Sequence, residues 1–192
     1  MGPEEGVGEE VEAPEPALVA RVRAGESGAF DELVRLHMGR VFAIVLRVLG
    51  QREDAEDVTQ EVFLAVLEKL DSYDARRPFA PWLYRIATNR ALNARKARQL
   101  RRMDEIPEST RATGDEPDIA TAKAEVGERL ARALQELPEK QRLIVKLFDL
   151  EGFTSVEIGS MLGMADGTVR WHLLKARERL RRALAPMEEW HR

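Results

Sequence analysis

The stretch from Thr154 to Arg182 constrains this chain more than any other. It contains two short helical patterns separated by a glycine-bearing turn. Thr154 precedes an apolar run and Glu157 follows three residues later, the spacing of a capping box that opens a helix. Val156, Ile158, Met161 and Leu162 give this helix an apolar side, Gly163 ends it, and Asp166 is placed to cap a second helix. Two short helices joined in this way are the sequence form of a helix-turn-helix. At about 100° per residue, Val169, Leu173, Ala176 and Leu180 fall on one inward stripe of the second helix. Trp171, Lys175 and Arg182 fall on the opposite side, flanked by Thr168, Arg170, Leu174 and Arg181. From Ala165 to Arg182 there are six Lys or Arg against two acids. A tryptophan facing out among cations suits a helix that enters the DNA major groove and holds phosphate. A basic amphipathic helix that packs, or that binds an acidic partner, has the same pattern.

The net charge of −4 conceals an alternation by block. Met1 to Pro16 carries six glutamates and no base, and Gln51 to Ser72 seven acids against two bases. Arg76 to Arg102 then has nine bases and no acid, and Met103 to Glu128 eight acids against two bases. Such alternation points to separate surfaces for separate partners. The 192 residues contain no cysteine, which excludes disulfides and thiolate metal sites. The longest apolar run, Val41 to Leu46, is far too short to span a bilayer. With no secretory signal pattern at the start, a cytoplasmic protein without membrane contact of its own is expected.

No strand pattern occurs, so the fold is expected to be all-α: two small helical domains joined by a flexible linker. Residues 1–16 read as a disordered acidic tail. The first domain spans 17–102. It opens with a short helix over Ala17 to Ala24, followed by a long one over Ala29 to Leu49 with His37 on its packing side. A third helix from about Asp54 to Leu70 displays Asp54, Glu56, Asp57, Gln60 and Glu61. Helix-terminal carboxylates are favourable by themselves, but this face is denser than capping requires and fits a basic partner surface. After a loop holding Tyr73 and Phe79, Pro81 suits the first position of a helix running to about Arg102. This segment combines aromatics, asparagines and arginines. It suits single-stranded nucleic acid, where bases stack on rings and amides read edges. Trp82 reads as core; for Tyr73 and Asn89, composition fits a nucleic-acid surface and a plain scaffold equally. Residues 103–120 form an acidic linker. The second domain, 121–186, has helices at about 121–136 and 139–150 before the helix-turn-helix, and 187–192 is a tail. Neither domain offers a nucleophile–base pair, phosphate loop or metal cluster, so no catalytic residue, metal or cofactor is expected. A free-standing ligand-sensing regulator would need an apolar pocket, whereas the first domain spends its surface on charge.

Four motifs now stand in order: Asp-Ala-Glu-Asp-Val-Thr-Gln-Glu-Val-Phe at 54–63, Pro-Trp-Leu-Tyr-Arg-Ile-Ala-Thr-Asn at 81–89, Leu-Pro at 137–138, and Glu-Ile-Gly…Leu-Gly…Gly-Thr-Val-Arg at 157–170. With them the chain resembles the bacterial RNA polymerase sigma factors of the sigma-70 family, in their small extracytoplasmic-function (ECF) group, over Ala17 to Ala185. The resemblance implies that the domains correspond to sigma regions 2 and 4 and that the partners are core RNA polymerase, through its β′ clamp helices and β subunit, and promoter DNA. It places Asp54, Asp57, Gln60 and Glu61 at the polymerase contact. It places Tyr73, Arg85, Asn89, Arg90 and Asn93 at the single-stranded -10 element, where a base is flipped into a pocket. Thr168, Arg170, Trp171, His172 and Lys175 fall at the duplex -35 element. It further implies promoter recognition, DNA melting and initiation at a dedicated regulon under an anti-sigma factor. Two positions depart from the family pattern. Trp171-His172 stands where Ser-Arg is common, and Gly159 replaces a usual alanine, at an expected slight loss of helix stability.

Overall fold

The computed structural model describes residues 15–104 and 122–185, with side chains described over 15–101 and 127–185. The expected tail (apart from its last two residues), the linker beyond residue 104 and residues 187–192 lie outside the described residues. Eight α-helices are described: α1 (Glu15–Arg23), α2 (Ala29–Leu49), α3 (Arg52–Lys69), α4 (Phe79–Asp104), α5 (Ala122–Glu136), α6 (Glu139–Val145), α7 (Ser155–Leu162) and α8 (Asp166–Leu184). A 3-10 turn, Leu70–Ser72, follows α3, and a π turn, Lys146–Leu150, follows α6. The fold is all-α, with no strand among the described residues.

The first domain is built on α2, whose Leu33, Val41, Ile44 and Val45 are fully buried against α3 and α4. Each such side chain contributes about 1.5–3 kcal/mol on burial. Helix α4 contributes Leu83, Ala87 and Ala91, also fully buried, and the two alanines let its neighbours approach closely. Helix α4 starts at Phe79, so Pro81 is its third residue rather than its first. Helix α1 starts at Glu15, two residues inside the stretch read as tail. Arg23 fastens it by donating to the carbonyls of Leu70 (2.6 Å) and Tyr73.

His37 packs as expected, 5% exposed, against Phe79 and Tyr84. Its Nε2 lies 2.9 Å from the Glu15 carboxylate without the alignment of a full hydrogen bond. Burial holds its pKa below the ordinary histidine value, and Glu15 only partly opposes this. The unfolded chain therefore takes up the proton first, and stability falls as pH drops below about 6.5.

In the second domain, Pro138 caps α6, whose Leu143 and Ile144 face inward. The expected single helix over 139–150 ends instead in the π turn. There the N–H of Glu151 donates to the Lys146 carbonyl at 3.3 Å and that of Phe153 to the Leu147 carbonyl at 3.1 Å. The extra residue aims Glu151 and Phe153 at the first domain. Arg47 donates to Glu151 at 2.6 Å, Arg40 to the Glu151 carbonyl at 3.1 Å, and Arg95 pairs with Glu139 at 2.8 Å. Tyr84 meets Phe153 edge-on at 5.5 Å between centroids, and α4 packs along α7. The domains thus share one continuous core.

The turn between α7 and α8 depends on Gly159. A Cβ there would stand 2.6 Å from the backbone oxygen of Met164, whose N–H donates to the Gly159 carbonyl at 2.8 Å. Glycine is required by this close approach, which reverses the expected reading of Gly159 as a small loss of helix stability.

Two outcomes follow from this packing. Gly159→Ala gains helix propensity of about 1 kcal/mol, yet it should lower the melting temperature, because overpacking against backbone costs about 1–3 kcal/mol; an unchanged or higher value would contradict the contact. The melting temperature of the wild type should fall from pH 7 to pH 5.5 more steeply than that of His37→Gln, as read by circular dichroism.

Candidate nucleic-acid and polymerase interfaces

Helix α3 presents Asp57, Gln60 and Glu61 to solvent, with Asp54 half-buried at its start. Its underside, Ala55, Val58, Val62, Ala65 and Val66, is core. Asp54 is bonded by Arg98 and Glu61 by Arg90 at 3.5 Å, so two of the four residues are tied to α4. Asp57 has no ion pair among the described residues. Leu64 (61% exposed) and Leu67 (49%) continue the same face one and two turns on. Sequence reasoning missed both, although Asp57, Gln60, Glu61 and Leu64 share one helical stripe. An acidic face extended by exposed leucines is the composition of a protein-binding surface.

The basic block of α4 divides between two faces. Arg85, Asn89 and Asn93 are exposed one turn apart, and Lys96 follows close to the same line. Among the described residues, neither Arg85 nor Lys96 is ion-paired. Arg90, Arg95 and Arg98 point elsewhere, bonded to Glu61, Glu139 and Asp54. Arg90 thus lies on the α3 side of the exposed row, not within it.

Tyr73 is not at the loop surface. It is 5% exposed, its ring 5.3 Å from Phe79 and 5.2 Å from Trp82 between centroids, with its hydroxyl donating to the Arg77 carbonyl. Burial raises its pKa above that of an ordinary tyrosine, which keeps the hydroxyl a donor. The loop that follows is shaped by Asp74, whose carboxylate accepts from Arg76 at 2.9 Å and is held below the usual carboxylate range by that bond. Trp82 is half-buried in the aromatic group.

In the helix-turn-helix, the capping box forms. The Glu157 N–H donates to Thr154 Oγ1 at 3.2 Å, and the Thr154 N–H donates to the Glu157 carboxylate at 2.8 Å. Gly163 closes α7 in the left-handed region at φ 65°. Asp166 is not the cap of α8. Ala165 takes that position, and Asp166 sits in the first turn, where its charge suits the helix dipole and bonds Arg170 at 2.7 Å. Val169, Leu173 and Ala176 are buried as the wheel expects.

Outward stand Thr168, Arg170 and Trp171, with Lys175 half-exposed and bonded to Glu178 at 3.0 Å. Trp171 is 52% exposed and Leu174, beyond it, 57%. His172 turns back instead. Its ring props Trp171 at 4.9 Å in an edge-to-face pair, and burial and then Lys140 hold its pKa below the ordinary value. The outer edge of α8 is therefore an aromatic step between cations.

An acidic helix face, a separate Arg/Asn row and a basic helix-turn-helix together define a DNA-binding transcription protein with a protein-docking surface. The pattern of Sigma-70 region 2 matches residues 33–101, and that of Sigma-70, region 4 matches residues 127–180. The chain is 30% identical to the ECF RNA polymerase sigma factor SigW of Bacillus subtilis over 86% of its own length and 94% of the relative's. It is 38% identical to SigE of Mycolicibacterium smegmatis over 82% of its length, spanning 62% of that longer protein. Among solved structures it is similar to CnrH in complex with the cytosolic domain of CnrY. Their TM-score is 0.63 and their identity 27%, over 89% of this chain and 97% of that one. The chain belongs to the sigma-70 family of RNA polymerase sigma factors, in the ECF group.

The placement of these residues has a thermodynamic test. Asn89→Ala and Trp171→Ala should each change stability by less than about 0.5 kcal/mol in urea titrations. Tyr73→Ala, which empties a core aromatic, should lower it by roughly 3 kcal/mol. A neutral Tyr73→Ala would return that ring to the surface.

Proposed function

We propose that this protein binds core RNA polymerase and gives it promoter specificity, without chemistry of its own. The observation that carries the reading is the division of charge between α3 and α4: a carboxylate face with exposed leucines on one helix, an unpaired Arg/Asn row on the next. Asp54, Asp57, Gln60 and Glu61, extended by Leu64 and Leu67, meet the β′ clamp helices, and the second domain adds contacts to the β subunit. Arg85, Asn89 and Asn93 follow the non-template strand of the -10 element, and Tyr73 and Arg90 support that face from below and beside it. Flipping out one base there costs a few kcal/mol, which stacking and edge contacts offset. Thr168, Arg170, Trp171 and Lys175 read the -35 duplex, propped by His172. An apolar ring at Trp171 suits a thymine methyl.

The two promoter elements lie about 85 Å apart along B-DNA at 3.4 Å per base pair. In the packed form only α7 separates α8 from α4, and packed helices are about 8–10 Å apart. The protein must therefore open along the α4–α7 seam to engage both elements. CnrH is solved with the cytosolic domain of CnrY, and a sigma factor RpoE of Bartonella quintana, 21% identical, with the anti-sigma factor NepR. Control of this protein by an anti-sigma factor accords with that company. Among the described residues no helix is long and apolar enough to cross a membrane, and action on polymerase places the protein in the cytoplasm.

The test is abortive transcription with purified core polymerase on a pooled promoter library. Product should depend on this protein. The double variant Asp57→Lys/Glu61→Lys should lose core binding by at least about tenfold, since like-charge juxtaposition costs several kcal/mol. Duplex binding without any binding to core would sink the reading.

A further inference from the structure

Where the two domains meet, a cleft of about 320 Å³ opens between the end of α2, the middle of α4 and the start of the second domain's core. Arg47, Arg95, Arg142 and Lys146 line it, with Glu139. Two carboxylates serve these four cations: Glu139 bonds Arg95 at 2.8 Å and Glu151 bonds Arg47 at 2.6 Å. Arg142 spends one N–H on the Gln135 carbonyl at 3.1 Å. The Lys146 ammonium has neither a hydrogen bond nor an ion pair among the described residues. Two positive charges are thus left without a counter-charge in a concave, partly desolvated place.

The strain of that arrangement shows on Lys146. Its pKa lies below the ordinary lysine value, first through burial and then through repulsion from Arg142 and Arg47. An anion in the cleft relieves both effects, because it supplies the missing counter-charge where screening by water is weakest. Planar guanidinium forks from opposite walls suit a ligand with several oxygens on adjacent centres better than a single carboxylate. The volume matches a small ligand and excludes a nucleic-acid duplex. Val48, Leu49 and Leu143 supply an apolar edge beside the cations.

We propose that this cleft binds a diphosphate group, free or carried by a nucleotide, and that its occupation holds the two domains together. Arg47 and Arg95 belong to the first domain, Arg142 and Lys146 to the second, so the site exists complete only in the packed form. A ligand that binds one state alone shifts the equilibrium toward it. Since the promoter elements demand the open form, the ligand opposes initiation. That consequence rests on the sigma-factor reading above; binding itself does not.

The experiment is isothermal calorimetry on the full chain, free of polymerase, with pyrophosphate and separately with ADP and GDP at constant ionic strength. Saturable one-to-one binding is expected, weakened at least tenfold in Arg142→Gln/Lys146→Gln and unaffected in the charge-matched control Lys69→Gln/Arg129→Gln. Lys146→Gln alone, which removes no hydrogen bond or ion pair among the described residues, should weaken binding severalfold and guards against a misfolded double variant. Equal affinities for pyrophosphate and the nucleotides assign the site to the phosphates alone, and tighter nucleotide binding adds the apolar edge; both support the site. Absent saturation, or equal losses in the cleft variant and the control, overturn it. Transcription assays then separate the two claims. A protein that binds pyrophosphate yet fails to support initiation keeps the cleft and loses the sigma reading. One that initiates but ignores pyrophosphate does the reverse.

Discussion

Helix α4 packs against α2 and α3 of its own domain and α7 of the other, and its small side chains make that sharing possible. Ala87 and Ala91 are fully buried, and Thr88 turns its hydroxyl back to the Tyr84 carbonyl at 2.8 Å. That satisfies a buried polar group locally, as the interior requires, and leaves α2 and α3 free to pack closely on this side. A second side holds the arginines that bond α3 and the second domain. The third carries Arg85, Asn89, Asn93 and Lys96 to solvent. The cations of α4 over residues 85–98 therefore form two populations, one bonded and one without an ion pair among the described residues.

The seam between the domains is mixed in character. Beside the packing of α4 on α7 and the buried contact of Tyr84 with Phe153 stand two part-exposed ion pairs, Arg47–Glu151 and Arg95–Glu139. Exposed ion pairs contribute at most about 1 kcal/mol each, so most of what holds the seam is the apolar packing of α4 on α7. The π turn at Lys146–Leu150 supplies the geometry, since an i→i+5 turn re-aims the residues after it. It sends Phe153 and Glu151 one way and leaves Lys146 facing the cleft.

Much of this was legible in the sequence because it is local. The bounds of α2 follow from its apolar stripe and from Gly50, which closes it. The capping box at Thr154 and Glu157 follows from spacing, as does the inward stripe Val169, Leu173, Ala176. What the sequence concealed is long-range. Tyr73 stands in a loop, where no periodicity reports burial, and three aromatics brought together by the turn decide its place. Arg90 and Asn89 are neighbours in the chain, yet Glu61 claims the first and leaves the second exposed. Arg47 and Glu151 lie far apart in the sequence, and nothing in either segment announces the other. Gly159 is the clearest reversal. Propensity marks it as a weak helix residue, while the tight turn onto α8 allows nothing larger.

If the two candidate DNA faces lie on bodies packed together in the free protein and drawn apart at a promoter, the distance between the domains must change on initiation. The chain has no cysteine, so Arg35→Cys and Arg132→Cys place spin labels uniquely, one on each domain. Double electron–electron resonance should give a single short distance for the free protein. It should give one longer by tens of ångströms in the complex with core polymerase and promoter DNA. The same distance in both states, or a long distance in the free protein, would contradict the account.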